Sequence, residues 1–208
     1  MSRQWAYLML SGSALFWSGN FVIGRAVSGS IDPITLSYFR WSVALLLFFP
    51  FSYRALRQEW IIVRAHLPIL VFLAVIGVAG FNTFADLGLH QTSATNALLI
   101  NSFIPILIII LSRIYPGTRI SLPGLLGILL SSGGVILLVS RGEWRHLIHL
   151  DINYGDLWIL LAAFTWAVYS IGLRWRPVSL SASAFLLFTM IVGVLVLSPL
   201  YWFNVFDE

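Results

Sequence analysis

Seven apolar runs, each about long enough to cross a bilayer, restrict this chain more than any other feature. A hydrocarbon core of about 30 Å is crossed by about 20 helical residues. Runs such as ILIIILS and VALLLFFPF lack the alternation of polar and apolar residues that membrane barrels need. We therefore predict an all-α fold, a polytopic membrane helix bundle with about seven transmembrane helices. The predicted spans are residues 5–24, 34–53, 67–87, 95–112, 121–140, 155–173 and 182–203.

The composition agrees with lipid as the solvent. Hydrophobic residues make up 59% of the chain and charged residues 10%, whereas soluble domains carry about 25% charged residues. There is no Cys, which excludes disulfides and thiolate metal sites. We find no nucleophile elbow, phosphate loop or zinc-type His-Glu motif. We therefore expect no enzyme activity, no catalytic residues, no cofactor and no metal.

Arginine supplies every basic charge and is distributed unevenly between the two sides of the predicted bundle. The positive-inside rule then places the N-terminus in the cytoplasm. Because the arginines sit at the ends of apolar runs, they indicate orientation in a membrane, and we expect no nucleic-acid partner. Eight arginines lie on the N-terminal side: Arg3, Arg54, Arg57, Arg64, Arg113, Arg119, Arg174 and Arg176.

Two distant stretches resemble each other. ALFWSGNFVIGR begins at Ala14 and AAFTWAVYSIGLR begins at Ala162. They lie in the first and sixth spans, so the repeating unit is five spans, an odd number, and the second stretch would enter the membrane in the opposite direction. Inverted repeats of this kind are typical of secondary transporters. We predict a first five-helix repeat over residues 1–149 and the first two helices of an inverted repeat over 150–208. The pairs matched at an offset of 149 include Trp17 and Trp166, Arg25 and Arg174, and Pro50 and Pro199.

Several stretches, in order and at matching intervals, resemble the EamA-type ten-helix transporters of the drug/metabolite transporter superfamily. They are ALFWSGNFVIGRAV, DPITLSYFRWSVALLLFFPF, GLHQTSATNALLINSFIPILIIILS, GLLGILLSSGGVILLV and GDLWILLAAFTWAVYS. Thr118 stands where that family usually has an acidic residue before its fifth helix. A full member has two five-helix halves, so this chain resembles a member truncated after the seventh helix.

The resemblance implies an exporter of amino acids, metabolites or drugs that works by alternating access. It implies a multi-pass protein of a bacterial inner membrane, whose partners are a small-molecule solute, the lipid bilayer and a second copy in a homodimer. The alternative is an incomplete, non-transporting membrane fragment or scaffold.

Polar residues inside the spans are candidates for a solute site, because buried polar groups are costly in lipid. Counted from the helix ends, five of them lie about 3–10 Å deep in the outer half of the bundle. They predict an outward polar cavity, although the asparagines could instead hold helices together at about 0.6 kcal/mol per hydrogen bond. The five are Asn20, Arg40, Asn82, Asn96 and Asn101.

Arg40 could bind an anionic group of the solute by paired hydrogen bonds. Alternatively, its side chain could extend to the interface or bond backbone carbonyls. Trp17, Trp166 and Tyr169 lie near mid-span and could line a cavity for an apolar solute, or could simply pack. Pro105 interrupts the fourth span and predicts a gating kink.

Two further groups have less specific patterns. Asp86 and His90 could form a proton relay, but we favour an interfacial pair that faces water. His146, His149 and Asp151 could bind a metal, but an interfacial helix explains their spacing better.

Overall fold

The computed structural model describes residues 3–27, 29–113, 122–139 and 153–207, and within these ranges every regular element is a helix. Six of the seven predicted spans are helical segments of 19 to 26 residues with the apolar composition of a membrane crossing. The remaining one is the 18-residue helix predicted at 121–140. The all-α, polytopic bundle is therefore confirmed. In chain order, the first to seventh spans are Arg3–Val27, Pro33–Gln58, Leu67–Gln91, Ala94–Ser112, Leu122–Val139, Tyr154–Trp175 and Ala182–Asp207.

Side-chain caps satisfy backbone N–H groups where the second and sixth spans begin. The Asp32 carboxylate accepts a hydrogen bond from Thr35 N at 2.9 Å, and Pro33 follows in the first turn. Asn153 and Asp156 form a capping box at the start of the sixth span. These are the residue types that favour helix N-termini, so the sequence itself sets these boundaries.

The two sides of the bundle can be named from the first span, which starts on the proximal side and ends at Val27 on the distal side. On the distal side, Arg25 Nη1 donates to Leu89 O at 2.7 Å and joins the ends of the first and third spans. On the proximal side, Glu59 Oε2 accepts from Ser181 N at 2.8 Å, between the second and seventh spans. The cytoplasmic location of the proximal side stays a prediction.

The third span is the centre of the bundle and packs against the second, sixth and seventh spans. Half of the residues in its most apolar 18-residue stretch are buried, compared with 6% in the same kind of stretch of the first and second spans. Gly88 permits the closest approach: a Cβ atom there would lie 2.5 Å from Ile159 Cδ1 and 2.9 Å from Gly155 O. This tight packing fixes the third and sixth spans relative to each other.

A π-helical segment, Val75–Gly80, interrupts the third span near its middle. Such segments leave backbone carbonyls that need another partner. Asn82 supplies one, because its Nδ2 donates to Val78 O at 2.9 Å. The sequence did not predict this irregularity, which lies next to the candidate site.

The second and seventh spans pack extensively against each other. They run over Pro33–Gln58 and Ala182–Asp207, each 26 residues long, and both of their ends differ by the predicted offset of 149. Trp17 and Trp166, also matched at that offset, are in contact, with ring centroids 5.3 Å apart. The inverted repeat itself stays a prediction.

Candidate functional site

A cavity of about 430 Å³ lies between the first, fourth and sixth spans, near the middle of their length. Its walls are largely apolar, and Ser18 and Asn101 contribute polar side chains. Four residues predicted from the sequence, Trp17, Asn101, Pro105 and Trp166, come together here. The complete lining is Ala14, Trp17, Ser18, Phe21, Leu98, Asn101, Ile104, Pro105, Ile108 and Trp166.

Aromatic rings form one side of this cavity and continue behind it. Trp166 contacts Trp17 at 5.3 Å, Phe81 at 4.6 Å and Tyr169 at 5.2 Å between ring centroids. The predicted aromatic residues therefore form one cluster across the first, third and sixth spans. Ring contacts of this kind stabilise by about 0.5–1.5 kcal/mol beyond the area they bury, so the wall is held in place by its own packing.

Gly77, in the π-helical segment, makes room for this cluster. A Cβ atom at Gly77 would lie 2.5 Å from Tyr169 Cδ2. Sequence reasoning missed both Gly77 and Phe81, because each looks like an ordinary residue of an apolar helix. Only the pairing of the third span with the sixth reveals their role.

The fourth span is broken beside the cavity. It consists of two helices, Ala94–Asn101 and Ile104–Ser112, and Pro105 lies in the first turn of the second. Because proline has no N–H, the carbonyl of Asn101 loses its usual partner four residues later. The side-chain Oδ1 of Asn101 is also buried without a hydrogen-bond partner among the described residues. The break predicted at Pro105 therefore begins about one turn before it, next to the unpartnered amide oxygen of Asn101.

A partly buried ion pair lies distal to the cavity. Arg40 Nη2 and Asp86 Oδ2 are 2.7 Å apart, and Arg40 Nη1 donates to Asn20 Oδ1 at 2.8 Å. Ser37 Oγ donates to the same Asp86 oxygen at 2.5 Å. The side chains of Arg40 and Asp86 are 27% and 3% exposed. The cluster joins the first, second and third spans by charge-assisted hydrogen bonds.

The prediction that Asp86 and His90 form a pair facing water is therefore wrong. His90 is exposed, but Asp86 is buried against Arg40. The predicted span ended at residue 87, whereas the helix continues to Gln91. Those four residues add about 6 Å, which places Asp86 inside the bundle. Sequence reasoning therefore placed Asp86 wrongly, and it missed Ser37.

The predicted polar layer is only partly brought together. Asn20, Arg40 and Asn82 surround a small void of about 10 Å³, which has room for about one water molecule. Asn101 lines the larger cavity instead. Asn96 Nδ2 lies 3.3 Å from Asp156 Oδ2, near the distal start of the sixth span.

Asp156 ties three spans together on the distal side. Its Oδ1 accepts from Thr92 Oγ1 at 2.5 Å, and its Oδ2 accepts from Asn153 N at 3.0 Å. A Cβ atom at Gly155 would lie 2.7 Å from Thr92 N, which shows how closely these segments approach. Every Asp156 contact satisfies a capping or inter-helix hydrogen bond, so we assign this cluster to structure.

One group of sequence candidates remains. His146, His149 and Asp151 lie outside the described residues. Within the described ranges, no group of three or more His, Cys, Asp or Glu side chains is arranged to hold a metal ion.

Apolar spans around a cavity, with a helix broken beside it, are typical of polytopic membrane transporters. Residues 4–140 match the model of the EamA-like transporter family. The chain therefore belongs to the EamA-like transporter family.

Two relatives are similar over most of the chain. An "Uncharacterized transporter YyaM" of Bacillus subtilis (strain 168) is 28% identical over 195 residues, which cover 90% of this chain and 61% of the relative. An "Uncharacterized transporter" of Archaeoglobus fulgidus is 31% identical over 199 residues, which cover 88% of this chain and 64% of the relative. The chain thus spans less than two thirds of the length of these relatives. No solved structure matches it.

Proposed function

We propose that this protein moves small solutes across the membrane through the cavity between the first, fourth and sixth spans, and that it works as an exporter. The observation that carries the proposal is the meeting of Trp17, Trp166, Asn101 and Pro105 around one cavity of about 430 Å³. A volume in this range accommodates a small-molecule ligand. Membership of a transporter family supports the same function.

Alternating access requires a closure on each side of the solute that opens in turn. We assign the distal closure to the cluster of Asn20, Ser37, Arg40 and Asp86, which lies distal to the cavity and links three spans. The break between Asn101 and Ile104 gives the fourth span a place to bend when that closure opens.

The chemistry of the lining suggests which solutes the cavity accepts. Its aromatic and aliphatic walls favour an apolar body, and the amide of Asn101 offers a hydrogen bond to a polar group. Amino acids, metabolites and drugs with both features fit. Arg40 is bonded to Asp86, so a solute carboxylate would bind Arg40 by displacing Asp86 from it.

Expression in a drug-sensitive bacterium, with a panel of toxic amino-acid analogues, metabolites and drugs, tests this function. We expect the chain to raise resistance to at least one compound and to lower its accumulation in cells. Trp17→Ala should abolish the effect at equal protein level, because it removes one wall of the cavity. Phe16→Ala is the matched control, since Phe16 is 83% exposed on the same helix and does not line the cavity.

Equal loss in both variants, or in neither, would contradict the assignment of the cavity. If the chain accumulates in the membrane and exports no compound of the panel, the non-transporting scaffold becomes the better reading.

A further inference from the structure

The connection between the second and third spans, on the proximal side, is strongly basic. Arg54 and Arg57 are exposed near the end of the second span, three residues apart and thus on one helix face. Arg64 is exposed on the short helix Trp60–Ala65 that follows. Among the described residues, none of these three guanidinium groups forms an ion pair or a side-chain hydrogen bond. Three cationic groups are therefore available to a ligand from outside the chain.

Little negative charge opposes them. Glu59 is the acidic residue of this connection, and its carboxylate accepts a hydrogen bond from Ser181 N at 2.8 Å. Further arginines, Arg113 and Arg176, lie at the proximal ends of the fourth and sixth spans. Clusters of basic residues beside membrane helices attract anionic lipid.

The short helix has two different faces. Val63 is fully buried and belongs to the same core cluster as Leu180. Trp60 and Ile61 point away from that core and are 44% and 82% exposed. Tryptophan is enriched where a membrane helix meets the headgroups, and exposed apolar side chains beside arginines are typical of an interfacial helix. The connection therefore has the properties of a segment that lies in the lipid headgroup layer.

We propose that Arg54, Arg57 and Arg64, with Trp60 and Ile61, form a binding site for the headgroup of an anionic phospholipid. The positive charge of the guanidinium groups would attract the phosphate oxygens of the headgroup. The tryptophan and isoleucine would contact the first carbons of the acyl chains. This site is separate from the solute cavity and does not depend on which solute is moved.

Native mass spectrometry of the full chain in detergent, titrated with phosphatidylglycerol or phosphatidylcholine, tests the site. We expect phosphatidylglycerol to bind at least ten-fold more tightly than phosphatidylcholine, and added salt to weaken it. Each basic residue near a surface contributes about five-fold in affinity, so the triple Arg54→Gln/Arg57→Gln/Arg64→Gln variant should lose about 100-fold. The triple Lys variant retains the charge and should keep most of the binding.

Unchanged phosphatidylglycerol binding in the triple Gln variant would overturn the proposal, as would equal binding of the two lipids by the native chain. A loss in the triple Lys variant as large as in the Gln variant would also overturn it, because charge would not be what holds the lipid. If the triple Gln variant aggregates, Arg64→Gln alone decides the question: an unchanged affinity for phosphatidylglycerol contradicts the site.

Discussion

The ion pair between Arg40 and Asp86 gives the sharpest single prediction. Asp86→Asn keeps the size of the side chain and its hydrogen bond with Ser37, but removes the negative charge opposite a guanidinium group. Breaking a fully buried pair costs about 3–5 kcal/mol, and losing a charge-assisted hydrogen bond costs about 1.5–3 kcal/mol. Because Arg40 is 27% exposed, solvent can partly replace the lost partner. We expect a destabilisation of about 2 kcal/mol.

Thermal unfolding of the purified chain, followed by size-exclusion chromatography of heated samples, measures this effect. For a chain of this length, about 2 kcal/mol corresponds to a fall in Tm of about 4–8 °C. Arg40→Gln should cost a similar amount. The double variant should cost clearly less than the sum, because each single change already breaks the same contact.

Asp32→Asn is the control, since Asn caps a helix about as well as Asp, and it should change Tm by less than about 1 °C. Single variants that unfold at the native Tm, or a double variant whose loss equals the sum, would refute the reasoning. The pair would then be screened by water and would not link the spans.

Three other predictions concern packing, capping and orientation. Gly77→Ala should destabilise by about 1–3 kcal/mol, because the new Cβ overlaps the tyrosine ring packed there. Gly12→Ala should not destabilise, because its new Cβ would meet no neighbouring element within 4 Å. Thermal unfolding of both variants decides. Thr92→Val should cost about 1–3 kcal/mol by the same measurement, because it removes the donor to a buried carboxylate. A reporter fused after Arg57 should read as cytoplasmic and one within residues 146–151 as external, and the reverse pattern would overturn the predicted topology.

The sequence predicted the fold well because lipid leaves few alternatives. Apolar length alone located the spans, and helix ends were predicted within a few residues wherever a cap or a charge marks them. The second span is an exception. Its predicted end at residue 53 follows the apolar run, but the helix continues to Gln58 past Pro50. The length of an apolar run reflects the thickness of the lipid that surrounds it. A helix can extend beyond the lipid for as long as its backbone hydrogen bonds are formed.

The site was predicted less completely, for a physical reason. The residues around the cavity were found because tryptophan, asparagine and proline are unusual at mid-span. Asp86 was misread because its partner, Arg40, is 46 residues away, and a single helix cannot show which neighbour covers it. Gly77 was missed because its role depends on the ring of Tyr169 in another span.

Thiol accessibility in the first span tests most directly whether the cavity is a path for solute. The chain has no Cys, so a single introduced cysteine is labelled unambiguously. Ser18 lines the cavity, whereas Leu15, three residues away, is 74% exposed and lies outside the lining. In lipid vesicles, Ser18→Cys should react with a small water-soluble methanethiosulfonate reagent at least ten times faster than Leu15→Cys, because the reagent reaches thiols through water and not through lipid. Equal rates at the two positions, or no reaction at Ser18→Cys, would contradict a solute cavity between these spans.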